Sequence, residues 1–277
     1  MFDLHCHLLP AIDDGAVDLD MALEMARMAA ADGIVTVACT PHIYPGMYEN
    51  TADGIRAAIA AFQAELDERG IALRLVEGAD VHLDPNLIDA IRGGRVPTLA
   101  GSRYLLLEPP HHVAPPRFEE AVFDLMAAGL VPVITHPERL TWVETHYDVF
   151  ARLAERGAWM QITAGAMTGR YGRRVKYWGD RFVGEGLCMI LATDAHHPQR
   201  RPPLLAEARE AAAALVGMEE AVHMVDTRTR GIVDDLAPDQ LPPGLFRQAG
   251  FRPQVRGPSA SAGEGVVGRW LRSIRGK

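Results

Sequence analysis

Short apolar runs rich in β-branched residues alternate with longer amphipathic runs along this 277-residue chain, and that alternation limits the folds open to it. Strand-like runs fall at residues 2–8, 34–39, 73–76, 104–107, 130–135, 158–162 and 187–193. Helical runs fall at 19–31, 51–69, 85–92, 118–128, 149–156, 173–185, 204–216 and 219–225. Asp18 is placed to cap the first helix and Asp32-Gly33 to end it, while Gly70, Gly129 and Gly157 stop later ones. About seven β/α units in succession predict an α/β fold with a parallel sheet under covering helices. A distorted, TIM-like barrel is the expected closure. A hydrophobic share of 48% suits one large core of that kind.

The strand ends carry the chemistry. His5 and His7 stand two apart on the first strand, so both rings face one way while Cys6 faces the other. Asp14 follows in Asp13-Asp14-Gly15, and His42 follows the second strand in Thr40-Pro41-His42. Asp80, Glu108, His136, Asp194 and His196 follow later strands. A single histidine at a strand end is usually a satisfied core residue. A barrel, however, gathers its C-terminal strand ends at one face, so these residues converge there. Imidazole and carboxylate without thiolate suit Mn, Fe or Zn, with Mg as a further candidate. Nine donors exceed the needs of one ion, and roughly two or three ions sharing carboxylates would use them. Close ions of this kind generate hydroxide at neutral pH and stabilise the attacking and leaving oxygens of a phosphoryl displacement.

Arg139, in His136-Pro137-Glu138-Arg139, and Arg201, seven residues after Asp194, follow the same strand ends. Guanidinium groups beside a metal cluster suit a clamp on phosphate oxygens. Arg170, Arg173 and Arg174, near Tyr171, form a further basic group suited to orienting a charged substrate. A net charge of −8 is the opposite of a nucleic-acid binder's basic footprint.

Thiol chemistry fits poorly. A cysteine-dependent tyrosine phosphatase needs arginine six residues after its nucleophile, and after Cys6, Cys39 and Cys188 those positions hold Ile12, Pro45 and Asp194. Asp18-Leu19-Asp20 looks like an aspartyl-phosphate motif but falls at a helix start. Three cysteines without paired spacing are no disulfide framework. With no apolar run long enough to span a bilayer and no leader ahead of the first motif, the expected location is the cytoplasm. Residues 252–265 are rich in Gly, Ser, Pro and Ala and read as a flexible linker. Beyond it, Val267, Trp270, Leu271 and Ile274 recur at helical spacing among Arg269, Arg272, Arg275 and Lys277, as in a short basic amphipathic tail that contacts a membrane surface or a partner. The expected organisation is a phosphoesterase domain over 1–250 with linker and tail over 251–277.

The stretch from Asp3 to Ala16, Asp-Leu-His-Cys-His-Leu-Leu-Pro-Ala-Ile-Asp-Asp-Gly-Ala, resembles the opening motif of the polymerase-and-histidinol-phosphatase (PHP) superfamily. More narrowly, the chain resembles the bacterial manganese-dependent protein-tyrosine phosphatases of the CpsB/CapC type. Thr40-Pro41-His42 with Gly46-Met47-Tyr48-Glu49-Asn50, Leu105-Leu106-Leu107-Glu108 and His136-Pro137-Glu138-Arg139 carry the match onward. Thr163-Ala164-Gly165 with Gly169 and Tyr171-Gly172, then Thr193-Asp194-Ala195-His196 with Arg201-Pro202-Pro203, complete it. The resemblance implies a distorted α/β barrel holding three metal ions, usually manganese. It implies His5, His7, Asp14, His42, Glu108, His136, Asp194 and His196 as ligands, and Arg139 and Arg201 as phosphate-binding groups. It also implies a substrate, the phosphotyrosine of a tyrosine autokinase that regulates capsule or exopolysaccharide synthesis. The chain departs from the pattern at Asp80, where the family usually has Glu; Asp is one methylene shorter, and Glu77 is the weaker substitute. Three other readings are a small-molecule phosphomonoesterase such as a histidinol-phosphatase, a metal-dependent amidohydrolase, and a non-catalytic module that docks a kinase.

Overall fold

The computed structural model describes residues 1–253. Asp18 caps the first helix as expected: its side chain accepts a hydrogen bond from the Met21 amide at 2.9 Å and starts α1 (Leu19–Ala31). Thr51 does the same for α2 (Ala52–Glu68) through the Gly54 amide at 3.2 Å. The strands are β1 (Phe2–Cys6), β2 (Thr36–Cys39), β3 (His42–Tyr44), β4 (Tyr48–Glu49) and β5 (Arg74–Glu77), then β6 (Asp80–His82), β7 (Tyr104–Glu108), β8 (Val131–Thr135), β9 (Trp159–Thr163) and β10 (Cys188–Ala192). The remaining helices are α3 (Leu87–Arg92), α4 (Phe118–Ala127), α5 (Val143–Arg156), α6 (Ala164–Met167), α7 (Arg173–Gly184), α8 (Ala206–Val216), α9 (Met218–Val222) and α10 (Arg228–Val233).

The strands form two ladders, a three-stranded sheet β1-β2-β5 and a seven-stranded sheet β10-β9-β8-β7-β6-β3-β4. Every pairing is parallel except the β3–β4 hairpin. Two strand lines are broken: β2 resumes as β3 after Thr40-Pro41, and β5 resumes as β6 after Gly78-Ala79, each passing from the small sheet to the large one. Pro41 has no N–H for a ladder, and a Cβ at Gly78 would stand 2.9 Å from the Thr40 side chain, so the two breaks pack against each other. On the opposite side, the Asp194 amide donates to the His5 carbonyl at 2.7 Å and the His7 amide to the Ala195 carbonyl at 2.9 Å. These bonds tie the segment after β10 to β1. The result is a distorted α/β barrel held as two ladders.

Alternation along the strands divides the core. Tyr104, Leu106, Val133 and Trp159 enter one apolar cluster, whereas Leu105, Leu107, Ile134, Met160 and Ile162 enter the larger cluster beneath the helices. Glu108 and Gln161 share the inner face with Leu106 and Trp159, so the polar groups sit at the end of the inner cluster. The helix expected at 219–225 is instead α9, a π-type turn over His223–Thr227, and α10. There Arg228 is fully buried against Glu220 at 2.7 and 3.1 Å and donates to the carbonyls of Met189, Pro242 and Pro243, which satisfies a charge no sequence pattern had placed in the core. No helix among the described residues is long and apolar enough to cross a membrane. The amphipathic tail expected at 266–277 lies outside the described residues.

Candidate metal centre

β1 delivers His5 and, just past its end, His7, with their Nε2 atoms 3.3 Å apart. Both rings are fixed from behind: His5 Nδ1 meets Gln161 Oε1 at 2.9 Å and His7 Nδ1 meets Asp13 Oδ2 at 2.7 Å. Such partners set the tautomer and leave Nε2 free to face a ligand. Asp13 also accepts from the amides of Gly15 (2.9 Å) and His42 (3.2 Å), so one carboxylate ties the first loop to the start of β3. That loop runs so close to β1 that a Cβ on Gly15 would lie 2.2 Å from the His7 carbonyl oxygen.

The other donors arrive from separate elements. His42 opens β3, Asp80 opens β6, Glu108 ends β7, His136 follows β8, and Asp194 and His196 follow β10. Asp80 Oδ2 lies 3.3 Å from His5 Nε2, 3.6 Å from His42 Nδ1 and 3.9 Å from His136 Nε2. Glu108 reaches His42 at 3.5 Å and His136 at 3.6 Å. Asp194 Oδ1 lies 3.3 Å from His5 and 3.5 Å from His7, and Asp14 Oδ1 lies 3.4 Å from His196 and 3.5 Å from His42. All nine residues singled out from the sequence therefore fall into overlapping groups whose ligand-type atoms stand within 4.8 Å of one another. His5, His7, Asp80, Glu108, His136, Asp194 and His196 are buried, while Asp14 is half-exposed at the mouth.

Both Asp80 oxygens are buried without a hydrogen-bond partner, as is His136 Nδ1. A buried carboxylate that meets only imidazoles, without a well-formed hydrogen bond, is costly unless a further cation meets it. Together with the mixed imidazole and carboxylate donors, this fits a cluster of divalent cations. The carboxylates' charges agree, whereas the neighbouring carboxylates favour a proton on His5 and His7 that an ion would have to displace. Burial opposes ionisation of Asp80, yet His5 and the other imidazoles hold its carboxyl well below the usual range. Burial also opposes ionisation of Asp194, but Arg201, His5 and Arg139 hold it down as well. Burial and the neighbouring Arg139 push His136 down to about 4, and burial with His7 takes His196 to about 4, so both rings are neutral and able to ligate. For His7, Asp13 outweighs burial and pushes it up to about 10.

Arg139 and Arg201 converge on Asp194 Oδ2, the latter at 2.5 Å. Arg139 also lies over the Tyr171 ring, 5.3 Å from its centroid. The Nε of Arg201 is buried without a partner, which leaves a donor for an incoming anion. His136 (φ 34°) and Asp194 (φ 51°) both adopt left-handed backbone, an uncommon state for such residues that turns each side chain inward at its strand end.

The sequence reading missed three neighbours. Asp13 is the carboxylate behind His7 rather than a bystander of Asp14. His82 lies 3.4 Å from Glu108, and its spacing of two from Asp80 on β6 matches the His5–His7 signal. His111 lies 3.4 Å from Glu108 on the loop after β7, where no periodicity marks it. Glu77, the weaker substitute for Asp80, is bound to Arg56 at 2.7 Å and lies outside the cluster. Among the further arginines, Arg174 donates to the Leu140 and Thr141 carbonyls, while Arg170 and Arg173 are exposed. Cys6, Cys39 and Cys188 are free and buried, with burial pushing each thiol up, the reverse of a nucleophilic thiolate.

Known proteins resemble this chain in sequence and in fold. Residues 1–233 match the family model described as capsular polysaccharide synthesis, CpsB/CapC. The chain is 34% identical over 201 residues to the tyrosine-protein phosphatase YwqE of Bacillus subtilis, covering 73% of this chain and 79% of that protein. It is 25% identical over 242 residues to the tyrosine-protein phosphatase CpsB of Streptococcus pneumoniae, covering 85% of this chain and 100% of that protein. A crystal structure from work on those same two proteins, described as metal-dependent tyrosine phosphatases, superposes with a TM-score of 0.82 at 31% identity, covering 86% of this chain and 96% of the other. A parallel barrel with histidines and carboxylates at its mouth, matched over most of its length in sequence and in structure, places this chain in the CpsB/CapC family.

Proposed function

We propose that this chain is a metal-dependent protein-tyrosine phosphatase whose domain spans residues 1–250. The observation that carries the reading is the meeting of two guanidinium groups with a buried imidazole–carboxylate cluster that leaves both Asp80 oxygens without a hydrogen bond. His5, His7, Asp14, His42, Asp80, Glu108, His136, Asp194 and His196 would hold roughly two or three divalent ions, manganese first and iron, zinc or magnesium as substitutes. Bound ions of this kind supply Lewis acidity and an activated water at neutral pH. Asp80 reaches the cluster from the start of its own short strand.

Arg139 and Arg201 bind and orient the phosphoryl group, exchanging the Asp194 carboxylate for phosphate oxygens and holding charge that develops there. Gln161 and Asp13 keep the His5 and His7 rings in register, and Tyr171 stacks behind Arg139. A departing tyrosine phenolate has a conjugate acid of pKa about 10, so the site needs no strong general acid. The partner is a bacterial tyrosine autokinase acting in capsule or exopolysaccharide synthesis, in keeping with the family's description. Three free thiols suit the reducing cytoplasm. Metal-loaded protein offered a phosphotyrosine peptide, a phosphoserine peptide and histidinol phosphate in competition tests the assignment. Preferred turnover of the phosphotyrosine peptide supports it; preference for histidinol phosphate moves the chain to the small-molecule phosphatases.

A further inference from the structure

A cavity of about 270 Å³ opens from the metal cluster between the first loop and the turn after β10. Its inner end is formed by Asp14, His196 and Arg201, so it shares residues with the site. Its outer end is formed by Val17, Met21 and Arg200. Val17 is 69% exposed, an unusual position for an apolar side chain beside a charged cluster. The opposite wall is a hydrogen-bonded turn. His197 and Arg201 pair across the turn through both backbone amides at 3.2 Å, and His197 Nδ1 accepts the amides of Gln199 at 3.1 Å and Arg200 at 3.4 Å. Arg200 is thereby presented at the tip. Arg170 lies alongside, donating to the Gln199 carbonyl at 3.5 Å. The nearby Glu24 carboxylate is taken by the Gln199 side-chain amide at 3.2 Å. Neither Arg170 nor Arg200 has a carboxylate within ion-pair distance among the described residues, in a chain of net charge −8.

We propose that this groove is the peptide subsite of the phosphatase, seating the tyrosyl ring against Val17 and Met21 and an acidic residue beside the phosphotyrosine on Arg200 and Arg170. The inference rests on the function proposed above. A phosphoryl group held by Arg139 and Arg201 directs its aryl ring out of the cluster, and this cavity is contiguous with Arg201. The ring then covers apolar surface, and the adjoining peptide crosses two guanidinium groups that have no carboxylate within ion-pair distance among the described residues. The complementary ligand is an acidic peptide. Arg200 and Arg170 act on recognition and lie apart from the reacting atoms.

Three substrates test the groove: a phosphotyrosine peptide flanked by Glu, the same peptide flanked by Lys, and p-nitrophenyl phosphate. Wild type is expected to prefer the Glu-flanked peptide. Arg200→Glu, alone and with Arg170→Glu, is expected to lower kcat/KM on it about tenfold or more, mainly through KM, and to reverse the preference. Turnover of p-nitrophenyl phosphate should stay unchanged, which also shows that the variants fold. An unchanged Glu-to-Lys ratio in both variants overturns the proposal. Binding of a Glu-flanked peptide carrying a non-hydrolysable phosphonate, read by fluorescence anisotropy, separates this from the function itself. If no phosphoester is turned over, weaker binding to Arg200→Glu still supports the groove and equal binding rejects it.

Discussion

At the scale of single residues, the site combines groups that are each awkward in isolation. Asp80 is buried with neither oxygen hydrogen-bonded, and a cation is the partner that resolves it. Asp80→Ala is therefore expected to reduce bound metal and to lower phosphatase kcat by more than about 100-fold, beyond the range typical of groups that merely support a ligand. Metal analysis alongside kinetics checks this, and full metal content in the variant contradicts it. Arg201→Ala should lower kcat on the order of 100-fold, the scale of losing one donor to a developing oxyanion, with metal content unchanged. Glu138 gives a different signal. Burial pushes its carboxyl up from 4.5 to about 7, while Oε1 accepts from the amide (2.9 Å) and hydroxyl (2.6 Å) of Thr163. Below pH 4.5 the acid is protonated in folded and unfolded chains alike. Between 4.5 and about 7 only the folded chain keeps its proton, so stability falls as pH rises and levels off above. At about 1.4 kcal/mol per pH unit, the loss is about 3 kcal/mol. Glu138→Gln mimics the protonated acid, and denaturant titrations in chelator should find wild type losing about 3 kcal/mol more than the variant across this window, with the remaining slope left to groups such as Asp3.

At the scale of elements, the strand–helix alternation was legible because the long strands are mostly apolar and several helices carry their own cap or glycine stop. α1 begins and ends where Asp18 and Asp32-Gly33 place it. The breaks after β2 and β5 were not legible, because β3 and β6 are three-residue strands whose pairing depends on long-range register. For that reason Asp80 was read as following a strand when it also opens one, and His82 was passed over despite its matching spacing. Asp13 was hidden beside Asp14, since neither periodicity nor spacing says which carboxylate faces the ring nitrogen of His7. The nine candidate donors were legible because strand ends are the one place where chain order maps directly onto position in a barrel. The first loop offers a test. Gly15→Ala places a Cβ against the His7 carbonyl, so the loop must shift and take Asp13 and Asp14 with it. Metal affinity by titration is expected to fall about tenfold or more, as for other losses of support behind a ligand. Asp18→Ala, one turn further along, should cost about 1 kcal/mol of stability as a lost cap and leave metal affinity unchanged. Equal effects of the two substitutions would show that the loop does not position the donors.

At the scale of the whole molecule, the fold is a device for bringing donors from distant parts of the chain to one end of an apolar core. His5 and Asp194 stand 189 positions apart in sequence, and one of the two bonds that tie β1 to the segment after β10 runs between these same two residues. Metal bound at the proposed cluster would thus brace the join of the barrel as well as serve the chemistry. Ions that bind only the folded chain stabilise it by mass action, so removing them should lower the melting temperature, and the effect should scale with metal concentration. With an overall charge of −8, attraction of an anionic substrate would fall, under the proposed function, to Arg139, Arg201 and the cations of the cluster. The most direct test of the central claim is phosphotyrosine-peptide hydrolysis by chelator-stripped protein, with Mn²⁺, Mg²⁺ or Zn²⁺ returned separately and the thiols alkylated in a parallel sample. The metal cluster predicts no turnover in the stripped protein, recovery with an added ion, Mn²⁺ foremost, and no effect of alkylation. Turnover that survives stripping, or that alkylation abolishes, would contradict it.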